Sequence, residues 1–476
     1  MLFSSPIFLF WFLPITLTLY FLLPLRSLKN IWLLGVSLFF YAWGEPVFVL
    51  VMITSILFNY LMGLGVHYYR SSVRKQRLVL FFMVSINLLV FFVFKYWDFS
   101  ISNVNSAFGT SLPLLHLGLP IGISFFTFQA MSYVMDVYYD PEHSPVQKNP
   151  FRVGLYVCLF PQLIAGPIVR YRTVAGEISS RRENLHDISS GFARFMMGFS
   201  KKILIANNMA IISDLIFSQP PHQLSWSFAW LGAISYTFQI YYDFSAYSDM
   251  AIGLGLVFGF HFLENFNHPY ISGSITDFWR RWHISLSTWF RDYVYIPLGG
   301  SRKGAGATFR NLFLVWLLTG IWHGASWNFI SWGLYYFVFL SLEKFVIGRE
   351  KLKKLETSIF SRIYVGIVVV CGWVLFRSES LGYALSFLSR MFSFDSSGFS
   401  FSSTLFYLRE YRLFFASACL FSLPLASFLE KKIKEESLFT SALYFGARNI
   451  FIAIAFYISI IYLMKGTYNP FIYFNF

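Results

Sequence analysis

"NLFLVWLLTGIWHGASWNFISWGLYYFVFLSLEKF", residues 311–345, carries no charged side chain before Glu343. About 20 apolar residues suffice for a helix to cross the roughly 30 Å hydrocarbon core of a bilayer, so this run reads as membrane-embedded. At its centre, "TGIWHGASWNF" (319–329) wedges His323 between tryptophans and glycines. Gly320 and Gly324 form a GxxxG pair that lets a neighbouring backbone approach closely, which predicts a narrow slot for the imidazole, with Thr319, Ser326 and Trp327 at adjacent helical positions. A histidine needs only a small pKa shift to be neutral at pH 7, so it suits a low-dielectric site as a proton acceptor. The competing reading is a hydrogen-bonded structural histidine. No carboxylate or cysteine stands at metal-ligand spacing from His323, so no metal is expected there.

Working outward, the whole chain shares this character. It has 476 residues, 56% hydrophobic and 13% charged, with a mean hydropathy of +0.57. Soluble proteins carry about 25% charge, so this is a membrane protein. Lys and Arg (37) exceed Asp and Glu (23) by 14. These basic residues fall in short loops between apolar runs, the positive-inside pattern, which argues against a nucleic-acid partner. Cys158, Cys371 and Cys419 are far apart in apolar runs and read as packing residues. The first apolar run has no basic region before it and no small-residue cleavage site after it, so it is expected to be a retained helix, with Arg26 and Lys29 on the cytoplasmic side.

The fold expected is all-α and polytopic, a single membrane-embedded domain over 1–476. Apolar runs near 7–24, 47–69, 78–97, 119–139, 224–243, 311–345, 361–376 and 442–464 are long enough to span, and shorter ones occur near 31–43, 153–169, 203–217, 246–262, 382–394 and 413–429. This predicts about eleven transmembrane helices. The run 153–169 is flanked by Arg152 and Arg170 and contains Pro161, Gly166 and Pro167, so it reads either as re-entrant, lining an internal cavity, or as a proline-kinked span.

Asp243 and Asp249 lie in "YYDFSAYSDMAIGLGLVFGF" (241–260), six residues apart and on different helical faces, so capping or pairing with an arginine is expected rather than acid/base catalysis. Gly253, Gly255 and Gly259 miss the GxGxxG spacing and follow no strand; close helix packing accounts for them. In "ITDFWRRWHISLSTWFRDYVYIPLGG" (275–300), helical spacing puts Trp279, Trp282, His283, Leu286, Phe290 and Tyr293 on one aromatic face, with Arg280, Arg281 and Arg291 beside or behind it. Arginines near a cytoplasmic boundary suit either the phosphates of an anionic donor or lipid headgroups.

"FFTFQAMSYVMDVY" (125–138), "FPQLIAGPI" (160–168), "NFNHPYISGSITDFWRRWHISLSTWFRDYVYIPLGGSR" (265–302) and "LTGIWHGASWNFISWGLYYF" (318–337), with 241–260, resemble the membrane-bound O-acyltransferase family, in particular its bacterial branch of alginate O-acetylation proteins. The resemblance runs from the N-terminus to at least 392, with the core motifs in about 119–392. It implies helices around a central channel, with His323 matching the family's invariant histidine and His283 the second histidine of this branch. It also implies a multi-pass protein of the bacterial inner membrane. Such a protein takes an acyl group from a cytoplasmic thioester, acetyl-CoA being the expected donor, for O-acetylation of an extracellular or cell-wall polysaccharide. No cofactor is expected to be bound permanently.

On this reading His323 is the general base and His283 positions the donor or polarises its carbonyl. Trp279, Trp282 and Trp289 exclude water, and Arg280, Arg281 and Arg291 meet the donor. No GxSxG elbow is present, so a serine-type acetyltransferase outside the membrane is the expected partner. D-alanyl transfer to teichoic acid and peptidoglycan O-acetylation are alternatives within the family. A transporter is the rival from another class, disfavoured because no internal repeat is evident.

Overall fold

In lipid, backbone N–H and C=O groups have no water to bond, and a helix satisfies them within one segment. The computed structural model describes residues 1–164, 166–393, 401–434, 438–466 and 468–472, and every regular element among them is helical. Five helices are long and apolar enough to cross a membrane: Phe48–Tyr68, Val73–Lys95, Trp327–Ile347, Ile359–Arg377 and Thr440–Met464. The pair Arg412–Ser422 and Leu425–Ile433, bent by 54°, makes a sixth if it is one broken span.

The sequence reading expected about eleven. Several of the expected apolar runs fold as shorter or interrupted helices, while the run 224–243 lies within the 32-residue helix Trp226–Val257, which is not among the five. The run 7–24 forms an apolar helix only over Phe8–Leu22. The run 119–139 forms the 17-residue helix Ile123–Tyr139, buried from Ile123 to Val137. The run 311–345 breaks at Gly324 into two helices, Ala305–His323 and Trp327–Ser341. The last residue of the run 382–394 lies outside the described residues.

The chain divides into two compact units, residues 1–195 with 247–263, and 196–246 with 264–476. In the first, the spans Phe48–Tyr68 and Val73–Lys95 are joined by reciprocal amide hydrogen bonds between Asn59 and Asn87, 3.0 Å each way. Such pairing satisfies both polar side chains at membrane depth. The segment 153–169 is no continuous kinked helix. Pro150–Cys158 and Phe160–Leu163 are followed by non-helical backbone, and every described residue from Val153 to Arg170 is buried. At 1.5 Å per residue the nine-residue helix is only about 13 Å long, too short to cross.

Asp249 is held by the Arg194 guanidinium at 2.9 and 3.1 Å, the arginine partner expected of it. Gly253 packs where a Cβ would stand 2.6 Å from the Gly191 carbonyl oxygen, so close helix contact is its role. His261 bonds Glu177 at 2.7 Å through Nδ1 and approaches Asp187 at 3.3 Å through Nε2. The hydrogen bond to Glu177, then the charges of both carboxylates, outweigh partial burial and raise its pKa.

In the second unit, Lys202 and Asp243 form an ion pair at 2.6 Å with side chains 1% and 2% exposed. Asp243 therefore pairs with a lysine, where an arginine or a cap was expected. Both partners also hold the C-terminal segment: Lys202 Nζ donates to the Pro470 carbonyl, and Asp243 Oδ2 accepts from the Ile472 amide at 3.0 Å. The helices Ala305–His323 and Trp327–Ser341 fold back on each other through glycine. A Cβ on Gly320 would lie 2.6 Å from the Phe329 carbonyl oxygen and 3.4 Å from Gly333 Cα.

Removing one member of a buried ion pair strands the other charge, at a cost of about 3–5 kcal/mol. Lys202→Met should lower the thermal unfolding temperature of the detergent-purified protein accordingly, and Lys202→Met with Asp243→Leu should recover most of the loss. Gly320→Ala is expected to destabilise by about 1–3 kcal/mol through overpacking against backbone that cannot retreat. Gly306→Ala, with nothing within 4 Å of the added methyl, should not. Because its folded pKa is raised, His261 contributes stability in full below its ordinary value near ~6.5 and loses it as pH rises through the raised value. Hydrogen exchange in 259–263 should therefore quicken with pH across that window beyond its intrinsic rise, and His261→Gln should remove that excess.

Candidate functional site

The site is assembled at a helix break. The helix Ile275–Arg281 starts at Ser274, whose Oγ accepts from the Asp277 amide at 3.0 Å. Two further amides at that end, Ile275 and Thr276, donate at 2.6 and 2.8 Å to the carboxylate of Glu343, itself 1% exposed. A buried carboxylate at a helix N-terminus satisfies orphan donors and meets the positive end of the dipole. The helix closes at Trp282, whose amide bonds Phe278 O at 2.9 Å. His283 then adopts φ 45°, ψ 54°, a left-handed conformation uncommon for a residue with a side chain. Ile284 begins a second helix, Ile284–Phe290, after donating its amide to Asn265 O at 2.9 Å.

The single aromatic face expected from Trp279 to Tyr293 is therefore divided, because hydrogen bonds to a distant loop replace those that would have continued the helix. The break swings His283 away from the register of Trp279. It places the imidazole, 2% exposed, against the edge of Phe244, with ring centres 4.6 Å apart and planes at 87°. Nδ1 lies 3.2 Å from Asn265 Oδ1 and 3.4 Å from Ser285 Oγ. Nε2 has no hydrogen-bond partner among the described residues. Burial pushes the pKa of this ring, which lies outside the five spans, down to about 3, so it is neutral at physiological pH.

His323 is the last residue of the helix Ala305–His323 and is 6% exposed. It does not lie in a slot between two glycines of a continuous helix, as expected. Gly324 is extended (φ −173°), Trp327 starts the next helix, and three large rings stand edge-on around the imidazole: Trp322 at 4.9 Å, Trp332 at 4.9 Å and Phe376 at 5.0 Å. Gly324 instead leaves room for the Phe329 ring, which a Cβ would meet at 2.2 Å. Trp322 links the two histidines, since its ring lies 6.2 Å from that of His283 and 4.9 Å from that of His323.

Trp279 and Trp282 join the same cluster one ring further out. Trp279 packs on Trp332 at 5.6 Å and Tyr336 at 4.8 Å, and Trp282 on Trp373 at 4.7 Å, which in turn meets Phe376 at 5.7 Å. Trp289 is buried against Phe290 and Tyr293. The arginines do not join the histidines. Arg281 bonds Asp277 at 2.9 Å and the Asn267 carbonyl at 3.3 Å, Arg291 is exposed and bonds Asp292 at 2.6 Å, and Arg280 is exposed. Asn265, Trp322, Phe376 and Glu343 were not singled out from the sequence. Asn265 stands 18 residues from His283, and only the folded loop brings the two together.

The model of the membrane-bound O-acyltransferase family matches residues 30–386, a stretch that contains both histidines and Asn265. The chain belongs to that family. It is 46% identical over 400 residues to the probable alginate O-acetylase AlgI of Pseudomonas syringae pv. tomato, covering 83% of this chain and 76% of the relative. To the protein of the same description from Pseudomonas aeruginosa it is 44% identical over 401 residues, 83% and 76% of the two chains. A peptidoglycan O-acetyltransferase of Helicobacter pylori is 38% identical over 423 residues, 82% of this chain and 80% of its own. As a membrane-bound O-acyltransferase this multi-pass chain is an enzyme that uses an acyl donor. Both imidazoles stand within one aromatic cluster, 2% and 6% exposed, with the Trp322 ring against each.

Proposed function

We propose that the chain, acting as one acyltransferase over 1–476, transfers acetyl groups from a cytoplasmic thioester, acetyl-CoA, for the O-acetylation of an extracytoplasmic polysaccharide. The observation that carries the reading is the pair of buried imidazoles sharing the Trp322 ring, together with 44–46% identity to proteins named as probable alginate O-acetylases. In the transfer, His323 takes the proton of the acceptor hydroxyl as its oxygen attacks the thioester carbonyl. A carbon–oxygen bond forms, the carbon–sulfur bond breaks, and the departing thiolate receives that proton, which leaves an ester and a free thiol. His283 sits on the donor side, while Trp279, Trp282 and Trp289 keep water out.

Arg280, Arg281 and Arg291 meet the donor's phosphates at the cytoplasmic face, a role in which Arg281 and Arg291 exchange Asp277 and Asp292 for phosphate oxygens. The broken, buried segment 153–169 is read as a re-entrant wall. The setting is the bacterial inner membrane, with a serine-type acetyltransferase outside it passing the acetyl group to the polymer. Peptidoglycan is the second acceptor to consider, on the strength of the Helicobacter relative.

The test is the acetate content of extracellular polysaccharide and of peptidoglycan in cells carrying the wild type, His323→Ala or His283→Ala, with membrane levels of each protein measured. A general base supplies about 10²–10⁴ in rate, so His323→Ala at normal protein level should cut acetate by at least roughly 100-fold. Undiminished acetylation in His323→Ala would overturn the mechanism.

A further inference from the structure

The amide of Asn265 is oriented by a group that can act in only one way. The backbone N–H of Ser285 is a donor, and it lies 3.1 Å from Asn265 Oδ1, so the oxygen rather than the nitrogen of the amide faces this turn. Ser285 Oγ donates to the same oxygen at 2.9 Å. The third group on Oδ1 is His283 Nδ1 at 3.2 Å. Opposite an oxygen held as an acceptor, that ring nitrogen carries the hydrogen. A neutral imidazole has only one, so the other nitrogen, Nε2, is a bare lone pair.

From this we infer that Asn265, 1% exposed, is a positioning residue that fixes His283 in the Nδ1–H tautomer, so that Nε2 meets an O–H or N–H group of a substrate as an acceptor. The inference rests on the acyl-transfer reading and sharpens it. Of the two roles open to His283, polarising the thioester carbonyl requires a donated hydrogen that neutral Nε2 does not have. The role that remains is acceptance, either of a hydrogen bond that orients the donor or of a proton in the transfer.

Two further observations point the same way. Nε2 is the side-chain atom of His283 left without a partner, although the ring is buried. The turn that presents it is held in a left-handed conformation by the same residue, whose carbonyl accepts the Ile284 amide at 2.9 Å. Backbone kept in a sparsely populated region costs of order 1–3 kcal/mol and persists where surrounding structure over-determines it. Asn265 thus sets the direction of the ring through its main chain and the placement of the proton through its side chain. The groups facing the ring are Phe244 from the long helix Trp226–Val257, Trp322 from the helix Ala305–His323, and Asn265 and Ser285 from the turn itself; none of them is ionisable.

The experiment is nitrogen-15 NMR of imidazole-labelled full-length protein in lipid nanodiscs, with His283→Gln used to assign one resonance pair among the nine histidines. In the wild type, the assigned ring should show a protonated Nδ1 and an unprotonated Nε2, unchanged between roughly pH 5 and 8, since burial holds its pKa far below that range. Asn265→Leu removes the acceptor. The hydrogen should then move wholly or partly to Nε2, and acetate in the polysaccharide should fall about 10- to 100-fold at normal membrane level, as tautomer loss does to a positioned base.

Asn265→Asp keeps an acceptor. It should keep the Nδ1–H tautomer and make the ring protonate at a higher pH than in the wild type, because a carboxylate favours the imidazolium. If Asn265→Leu fails to accumulate, the Asp variant carries the test. A wild-type ring protonated on Nε2, or an Asn265→Leu protein with unchanged tautomer and acetylation, would overturn the assignment. Loss of acetate in His283→Gln with wild-type acetylation in Asn265→Leu would sink the role of Asn265 alone. Full acetylation in His283→Gln would instead sink the place given to His283 in the transfer, with the NMR spectrum still deciding the tautomer.

Discussion

The carboxylate of Glu343, buried and saturated by the N-terminal amides of the helix Ile275–Arg281, is the contact from which the histidine cluster is built. A seven-residue helix has too few internal hydrogen bonds to persist alone. Anchored at its start by Glu343 and tied at its end to the loop at Asn265, it becomes rigid enough to carry Trp279 and Trp282 into the aromatic cluster and to turn His283 the other way. Both anchors act through backbone donors, so they fix the direction of the chain whatever side chains stand outside.

The cluster also shows how an aromatic-rich sequence buries two imidazoles inside an apolar protein. Rings around His323 stand nearly perpendicular to it, an arrangement that aromatic quadrupoles favour over face-to-face stacking. The cost is that every polar atom within must be placed. Asn265 Oδ1 meets one of them, His283 Nδ1, while Nε2 has no hydrogen-bond partner among the described residues.

Charges elsewhere are handled differently. Asp243 is neutralised by Lys202 and bonded to the C-terminal segment, while Asp249 is met by Arg194. Each aspartate thus has a cationic partner within its own unit. The arginines read as donor-binding are likewise spoken for in two of three cases, by neighbours one or four residues away. The carboxylates of these pairs, Asp277 and Asp292, are partly buried, and a phosphate offers a guanidinium more oxygens than one carboxylate does.

From composition and spacing came the helical membrane character and the use of glycine for close backbone approach, and from the resemblance of its motifs came the family, because apolar content, motif and the absence of a Cβ are local properties. The helix breaks did not follow in the same way: those at Gly324 and after Cys158 depend on packing against segments far off in the chain. The same holds for the aromatic face drawn through Trp279, Trp282 and His283. A helical wheel assumes that the helix continues, whereas the amide of Ile284 finds Asn265, and a left-handed residue results. Tertiary structure alone decided that Asn265 Oδ1 stands against His283 Nδ1 and that Trp322 stands against both histidines, since each is a contact between segments that only packing brings together.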